Sequence, residues 1–389
     1  MNQGQMAFSQ IMDFASQDIF KICVKRYNGN YKAKQFTCWK QFLCLAFGQL
    51  THRESMSDTM LCLKLNADKL YHLGIRTVFN KSTLSRANEN RDWHIFQDFG
   101  LKLIEQARIL HKGDNQLENI NLKGKVFALD STTVDLCLEV FLWASFRSTK
   151  SAIKIHTLLD LKTSIPEFVL ITEGKVHDVN ALDYISIEKG SYYVMDKGYI
   201  DFARLYAIKQ DKAYFVVRAR ENIKFKRIAS KPADKNQGII CDQEISLTGI
   251  LTSEKYPEAL RRIRFYDAEF ERTFVFVTNN FKLKAVTITQ LYKHRWKIEL
   301  FFKWIKQNLK VQSFWGFSEN AVKTQIWTAI SVYVLVAIAK KKLKIDLTPY
   351  EILQYISLAP FEKTSLTEVF LNKKNQDVKE QKAIQLKIL

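Results

Sequence analysis

The chain has 389 residues, of which 47% are hydrophobic and 25% charged, an ordinary globular composition with enough length for two or three domains. Its 59 lysines and arginines exceed 40 acidic residues and leave a formal charge of +19, which favours a polyanionic partner such as nucleic acid. An acidic membrane surface is the rival partner, but the basic residues are spread along the chain rather than massed in one amphipathic segment. The six cysteines occur singly, and the polar N-terminus lacks the apolar region of a signal peptide, so we expect a cytoplasmic protein.

Residues 1–120 predict an all-α N-terminal region, because apolar residues recur in them at spacings of three and four. Within this region, "FNKSTLSRANENRDW" places Ser82 as the N-cap of a short polar helix. We expect Arg86, Asn88 and Arg91 to be exposed on that helix, and Arg86 and Arg91 to contact DNA, so that the region 1–120 would bind DNA. Any solvated helix would show the same pattern, so the DNA contact is a hypothesis.

From residue 121 the pattern changes to short runs rich in Val, Ile, Phe and Tyr, such as "KVFALD", "AIKIHTLLD" and "YYVMD", which predict strands. The helical pattern "YIDFARLYAIKQ" separates "YYVMD" from a further strand, "AYFVVRA". Residues 121–220 are therefore predicted to form the first part of an α/β domain built on a mixed sheet.

Residues 221–280 differ from their surroundings, because Lys-rich turns separate strands such as "RRIRFYDAEF" and "RTFVFVTNN". We interpret them as a β-rich insertion, after which residues 281–345 complete the α/β domain and residues 346–389 form a helical tail. The most apolar run, "TQIWTAISVYVLVAIAKKKLK", has about 16 residues before its lysines, whereas about 20 are needed to span a bilayer. It predicts a buried helix and no membrane segment.

The stretch "YKHRWKIELFFKWIK", residues 292–306, places one carboxylate, Glu299, among many cations. At about 100° per residue, the side chains of Tyr292, Arg295, Glu299 and Lys306 share one stripe of a helix, beside an apolar stripe that would face a core. A simple i,i+4 ion pair between Arg295 and Glu299 is the structural alternative to a functional site.

Two predicted strands close on aspartates, Asp130 after "KVFAL" and Asp196 after "YYVM". Ligands gather at the carboxyl ends of strands in α/β sheets, although an aspartate that starts a turn would give the same pattern. With Glu299 these side chains would supply three carboxylates, which suit Mg²⁺ or Mn²⁺ and two-metal phosphodiester chemistry. His177, beside Asp178, is interpreted as a structural or neighbouring group rather than a metal ligand.

The spacing of Tyr292, Arg295, Glu299 and Lys306 matches the Y-(two)-R-(three)-E-(six)-K signature of the insertion-sequence-four family of bacterial DDE transposases, which this chain resembles. The segments "ALDSTTVDL" and "YYVMDKGYIDFARL" resemble the blocks that carry the first and second aspartates of that family. The resemblance covers roughly residues 120–340. More loosely, residues 1–75 resemble the helical domain that precedes the catalytic domain in many members.

The resemblance implies an RNase H-like mixed-sheet catalytic core with a β-rich insertion, preceded by the all-α domain. It also implies cut-and-paste transposition of double-stranded DNA, with terminal inverted repeats and target DNA as substrates, a homodimer on paired ends, and two Mg²⁺ (or Mn²⁺) ions per active site. Carried over by position, the catalytic metal ligands would be Asp130, Asp196 and Glu299, and the contacts to DNA phosphates would be Tyr292, Arg295 and Lys306. Two alternatives remain open: a transposase-derived DNA-binding protein that no longer cleaves, and an RNase H-like host nuclease.

Overall fold

The computed structural model describes residues 4–369 apart from 76, 78, 118–119, 138–140, 142, 148–149, 220–221 and 309–313. The α-helices are α1 Ala7–Met12, α2 Gln17–Arg26, α3 Cys38–Leu50, α4 Met56–Leu65, α5 Lys81–Asn90, α6 His94–Leu110, α7 Phe202–Gln210, α8 Ile250–Lys255, α9 Ala285–His294, α10 Trp296–Asn308, α11 Glu319–Lys342 and α12 Pro349–Leu358. The strands are β1 Val126–Leu136, β2 Ser145–Arg147, β3 Lys150–Asp160, β4 Pro166–Glu173, β5 Tyr192–Met195, β6 Tyr214–Arg218, β7 Phe225–Lys231, β8 Ile239–Leu247, β9 Leu260–Asp267 and β10 Arg272–Thr278. Short 3₁₀ helices cover Ala67–Leu73, Asp178–Tyr184, Lys197–Tyr199 and Lys235–Gln237.

The chain divides into two compact units. The first takes Met1–Lys112, Leu138–Trp143 and Lys303–Leu389, and the second takes Gly113–Cys137 and Ala144–Phe302. The predicted change from helices to strands near residue 120 falls in the connection between α6 and β1. The predicted second part of the α/β domain, residues 281–345, is shared between the units, because the division lies inside α10. The last part of the predicted tail, 370–389, lies outside the described residues.

Helices of the first unit begin at side chains that satisfy the free backbone N–H groups of the first turn. Such N-caps precede α2, α3, α4, α11 and α12, and they are Ser16, Thr37, Ser55, Ser318 and Thr348. Helix α5 departs from the prediction, because it begins at Lys81 after an extended Asn80, and Ser82 lies inside it. The Asn80 carbonyl accepts from the Thr83 backbone N–H at 2.9 Å, so the first turn closes before Ser82 could cap it.

Helix α11 forms the core of the first unit and packs against α3 and α6. Nearly all of it is buried, Trp327 completely so. At Gly100 of α6, a Cβ atom would stand 2.9 Å from the Trp327 ring, so the two helices approach each other across a glycine. Within the described part of the chain, α11 alone has the length and apolarity of a membrane span, and its burial identifies it as the predicted core helix.

The second unit is built on a ten-stranded mixed sheet with the order β2-β3-β1-β5-β6-β10-β9-β8-β7, and β4 pairs with β3. Strands β1, β5 and β6 run parallel, whereas β3 and β10 are antiparallel to their neighbours. The strands predicted as an insertion continue this sheet through the pairing of β10 with β6. One core cluster joins Phe127, Tyr193 and Phe215 of the central strands to Ile245 and Leu260 of the later ones. The fold is therefore the predicted α/β mixed sheet, consistent with an RNase H-like core, preceded by helices.

The segment that was predicted to be one helix over residues 292–306 is two helices, α9 and α10, which meet at Arg295. At the junction, the Arg295 N–H donates to Tyr292 O and the Ile298 N–H donates to Arg295 O, both at 3.0 Å. These are i to i−3 bonds, tighter than those of an α-helix, so the helix is interrupted without a proline or glycine. Tyr292 thus belongs to α9 and Glu299 to α10.

Candidate active site

Asp130 and Asp196 leave neighbouring strands at the same edge of the sheet. The parallel pairing of β1 with β5 ends at Leu129 and Met195, and in both cases the next residue of the chain is the aspartate. The prediction that β1 itself ends at Asp130 was wrong, because β3 pairs with it as far as Leu136. Strand β5 does end before Asp196, and a 3₁₀ turn follows. The two carboxylates therefore occupy the crevice where α/β sheets bind ligands.

Arg295 connects the first aspartate to the glutamate. Its Nη1 lies 2.7 Å from Asp130 Oδ2, and its Nη2 lies 2.5 Å from Glu299 Oε1. The arginine side chain is 13% exposed, so the charges interact in a partly dehydrated environment, in which they are weakly screened. The expected i,i+4 pair is present, but it extends to a second carboxylate on β1.

Asp196 is held by two other side chains. Its Oδ1 accepts from the Tyr292 hydroxyl at 3.1 Å and from Arg218 Nε at 3.0 Å. Burial is the main cause that raises the pKa of Tyr292 to about 12, so this hydroxyl keeps its proton and donates it. Arg218 was missed in the sequence, although it closes the strand "AYFVVR" as the aspartates close theirs. The rule applied to strand-end carboxylates would also have found this strand-end cation.

The three carboxylates influence one another electrostatically. Burial raises the pKa of Asp130 to about 6, Arg295 lowers it, and the charges of Glu299 and Asp196 raise it further. The three side chains are also close in the structure, because Arg295 bonds to both Asp130 and Glu299 and the strands that carry Asp130 and Asp196 are paired up to the preceding residues. Glu299 of α10 thus lies beside the two strands that carry the aspartates, whereas the role of the three carboxylates as metal ligands stays a prediction.

A second polar cluster supports the strand beside Asp130. The Ser131 hydroxyl donates to Asp178 Oδ1 at 2.8 Å, and Lys154 Nζ lies 3.1 Å from the same oxygen. The Ser131 backbone N–H in turn donates to Asp130 Oδ1 at 2.8 Å. His177 is exposed. Of His177 and Asp178, which the sequence analysis considered together, Asp178 is therefore the residue that is linked to Asp130, through Ser131.

Sequence comparison relates this chain to known proteins. The profile of the transposase DDE domain matches residues 121–335, and that of a domain of unknown function matches residues 3–76. The chain belongs to the DDE transposases. The first match contains both aspartates and the Arg295–Glu299 pair, so this transposase has its candidate site within the DDE domain.

Three relatives carry transposase names. A Sinorhizobium fredii transposase is 33% identical over 245 residues, or 62% of this chain and 68% of its own length. The transposase for insertion sequence element IS5377 of Geobacillus stearothermophilus is 29% identical over 264 residues, 66% of each protein. That for element IS4SA of Synechocystis is 26% identical over 294 residues, 73% of this chain and 79% of its own. This protein is therefore a transposase of the insertion-sequence type.

The DDE domain implies dependence on a divalent metal ion. The candidate site has the type of ligand that such an ion needs, because its three carboxylates supply the hard oxygen atoms that Mg²⁺ and Mn²⁺ prefer. In the described part of the chain, no three acidic, histidine or cysteine side chains already stand together as a ligand group. Arg295 lies between Asp130 and Glu299, so it is the group that must move for both carboxylates to bind one ion.

The remaining predicted DNA contacts belong to the first unit. Lys306 lies in the last turn of α10. Arg86 is exposed on α5 as expected, whereas Asn88, which was also expected to be exposed, is buried and accepts from Gln41 Nε2 at 2.8 Å. Arg91 differs from the expectation of an exposed contact: it is half-buried, and its guanidinium donates to Gln41 Oε1 at 3.0 Å and to the Phe36 carbonyl. The long side chain serves the fold of the helical unit, because distant parts of the chain supply its acceptors.

Proposed function

We propose that this transposase binds the terminal inverted repeats of its own element, cleaves the strand to leave a 3′-OH, and joins that end to target DNA. The observation that carries the proposal is the bridge that Arg295 makes between Asp130 and Glu299, with Asp196 at the end of the strand that neighbours Asp130. Host nucleases can share such a carboxylate set, so strand transfer is the step that distinguishes a transposase. The net charge of +19 supports a DNA substrate.

Asp130, Asp196 and Glu299 are proposed as the ligands of two Mg²⁺ (or Mn²⁺) ions. When bound, such ions activate the attacking hydroxyl and stabilise the leaving oxygen of a phosphodiester. The residues of the chain do the rest. Arg218 and the Tyr292 hydroxyl hold the Asp196 carboxylate in place through hydrogen bonds to Oδ1. A ligand held by such neighbours loses less freedom when it binds, which favours one geometry.

Arg295, Tyr292 and Lys306 are proposed to contact the phosphates of the transposon end, Tyr292 only when its hydroxyl, which has one proton to donate, is not bonded to Asp196. A guanidinium can donate two parallel hydrogen bonds to a phosphate, and a lysine offers a point charge. Arg295 can supply those donors only after it releases Asp130 or Glu299. Arrival of the DNA and release of the carboxylates are therefore proposed to occur together, in the bacterial cytoplasm, on a homodimer that engages both ends of the element.

Cleavage of a labelled duplex that carries the element's terminal repeat tests the proposal. With Mg²⁺, the wild type should cut at the repeat end, and Glu299→Gln should reduce the rate by more than about 100-fold, since loss of a ligand should exceed the cost of losing a supporting group. The control is Glu254→Gln, an exposed glutamate of α8 that carries the same charge change. Both variants should bind the duplex as the wild type does.

The products separate the alternatives. Joining of the cut end to a second DNA is the result expected of a transposase. Cutting without joining would favour the host nuclease. Tight binding of the repeat without cutting, by a wild-type protein assembled on paired ends, would favour a DNA-binding protein that has lost its activity.

A further inference from the structure

A basic groove of about 920 Å³ lies in the first unit, between the segment 27–36 and helix α5. The segment joins α2 to α3 and is described here as the 27–36 loop. The cations that line the groove are Lys32, Lys34, Arg86 and Arg91. The whole 27–36 loop falls within residues 3–76, the part of the chain that matches a domain of unknown function.

The 27–36 loop is fixed to the helices beneath it. A Cβ atom at Gly29 would stand 2.3 Å from Ile95 Cδ1 and 2.9 Å from Cys38 Sγ, so any larger residue would displace these side chains. The Asn30 side chain accepts from the Cys38 backbone N–H at 2.8 Å. Lys32 has a positive φ of 55°, a conformation that the surrounding contacts must hold. The loop therefore presents its lysines in a preset arrangement, which lowers the entropy cost of binding a ligand.

The charge of the groove is strongly positive. Both Lys32 and Lys34 are exposed, and the sequence has no acidic residue between Asp18 and Glu54. The groove has one acidic lining residue among those described, Asp92. Its Oδ1 is already engaged by the backbone N–H of His94 at 2.9 Å and by the ring Nδ1 at 2.6 Å. An anionic ligand is the partner that this surface fits.

Helix α5 turns one polar face toward the groove. Its lining residues recur at helical spacing and are Thr83, Arg86, Ala87 and Asn90. Leu84 and Asn88 on the other side are buried, so the helix is anchored. Threonine, arginine and asparagine side chains can hydrogen-bond to base edges as well as phosphates. The major groove of DNA, about 12 Å wide, admits a helix of this kind.

The aromatic lining favours duplex DNA over a single strand. Single-strand binders stack successive bases on open aromatic faces. Here Phe36 is buried and its ring packs on Phe79 at 4.6 Å, while Tyr27 stacks on His94 at 5.6 Å. Tyr31 is the aromatic lining residue that is largely exposed. One open ring among the described lining residues does not make a stacking platform.

We propose that this groove is the site where the transposase reads duplex DNA, with Lys32 and Lys34 on the phosphates and the Thr83–Asn90 face of α5 against base edges. The inference rests on the proposed function and deepens it, because it assigns recognition of the transposon end to the helical unit rather than to the DDE domain. Arg91 supports the groove wall through its bonds to Gln41 and Phe36.

The test uses the full chain and fluorescence anisotropy at several salt concentrations. The probes are a terminal-repeat duplex, a random duplex of equal length and the corresponding single strand. The groove variant is Lys32→Asn with Lys34→Gln, because asparagine tolerates the positive φ at position 32. The matched control is Lys64→Gln with Lys112→Gln, which removes two exposed charges of the same unit outside the groove. Equal thermal unfolding curves establish that all variants fold.

The groove variant should lower the affinity for duplex by about tenfold or more and reduce the slope of log affinity against log salt by about 1.8, as two lost phosphate contacts require. The control should change neither. Arg86→Gln should reduce the preference for the terminal repeat over the random duplex by about fivefold or more. Equal effects of the groove and control variants, or tighter binding of single strand than duplex by the wild type, would overturn the inference.

A cleavage assay with the same proteins tests the groove assignment and the proposed function separately. If the wild type cuts the terminal repeat and the groove variant binds and cuts normally, the groove assignment fails while the proposed function stands. If the groove variant loses duplex binding but the assembled wild type cannot cut, the groove assignment stands and the proposed catalysis fails.

Discussion

Arg295 lies 2.7 Å from Asp130 and, through its other terminal nitrogen, 2.5 Å from Glu299, so one guanidinium is shared by two of the three carboxylates proposed as metal ligands. The same guanidinium is proposed to contact DNA phosphate. It cannot serve both sets of acceptors with the same donors at once. Binding of DNA and binding of metal are therefore expected to help each other, as linked equilibria require.

Arg295→Ala should bind Mn²⁺ more tightly than the wild type in the absence of DNA, by about tenfold, or about 1.4 kcal/mol. The physical reason is that a competing cation has been removed from two carboxylates. Isothermal titration calorimetry at pH 8, above the raised pKa of Asp130, measures the affinity. Addition of terminal-repeat duplex should strengthen Mn²⁺ binding by the wild type more than by the variant. Weaker Mn²⁺ binding by the variant than by the control Arg264→Ala, an exposed arginine of β9, would contradict the competition.

Tyr292→Phe should slow cleavage by about 10- to 100-fold, because it removes the hydrogen bond that orients Asp196. The ring itself packs against Phe276 at 4.6 Å, and that contact survives in the variant. Thermal stability should thus change little while the Mg²⁺ concentration needed for half-maximal cleavage rises. A control is Tyr266→Phe, on an exposed tyrosine of β9. Unchanged Mg²⁺ dependence in Tyr292→Phe would show that Asp196 does not need this donor.

The convergence of Asp130 and Asp196 could be predicted because it depends on local rules. Apolar runs of strand length followed by an aspartate place the carboxylate at the carboxyl end of a parallel strand. The relation between Arg295 and Glu299 follows similarly from helical spacing. What the sequence could not show is that β1 continues beyond Asp130, because that continuation depends on hydrogen bonds from β3.

The prediction that Arg91 is exposed was wrong for the same reason, because distant parts of the chain determine its environment. A polar helix with regularly placed arginines has the pattern of a solvated surface, and Arg86 fits it. Arg91 does not, because its acceptors, Gln41 and the Phe36 carbonyl, lie 50 and 55 positions earlier in the chain. The interruption at Arg295 is likewise invisible to periodicity, since no proline or glycine marks it. Long-range partners thus decided the outcome at Arg91, and single-sequence patterns do not contain them.

Arg91→Ala should destabilise the protein by about 2 kcal/mol, because hydrogen bonds from a charged, half-buried donor are lost and their acceptors are left unpaired. Arg86→Ala, the matched control inside α5, should stay within about 0.5 kcal/mol of the wild type, as exposed substitutions usually do. Urea unfolding followed by circular dichroism gives both values. If the two variants were equally stable, the structural role of Arg91 would be refuted.

Lys306→Ala should reduce the slope of log affinity against log salt for terminal-repeat duplex by about 0.9, the loss of one phosphate contact. The effect should be independent of DNA sequence, since a lysine contacts phosphate as a point charge. Lys303→Ala, an exposed lysine of the same helix, is the control for the lost charge. Identical slopes for the two variants would leave no special role for Lys306 in DNA binding.

The buried His156 should make the protein sensitive to acid. Its side chain is fully buried on β3, and its Nε2 lies 2.9 Å from the Thr172 hydroxyl. Burial lowers the pKa of His156 from 6.5 to about 4 in the folded chain. Above pH 6.5 the imidazole is neutral in both the folded and the unfolded chain, so its protonation does not reduce the free energy of unfolding. As the pH falls from 6.5 to 4, His156 becomes protonated in the unfolded chain but stays neutral in the folded chain. The free energy of unfolding therefore decreases.

Between pH 7.5 and pH 4.5 the loss should reach about 2 to 3 kcal/mol from this residue. His156→Gln keeps a polar group near Thr172 and cannot titrate, so its free energy of unfolding should fall less over the same range. The exposed His177→Gln should behave as the wild type does. Urea unfolding at the two pH values measures all three proteins. Parallel losses in wild type and His156→Gln would mean that the acid sensitivity comes from other groups, because only His156 differs between them.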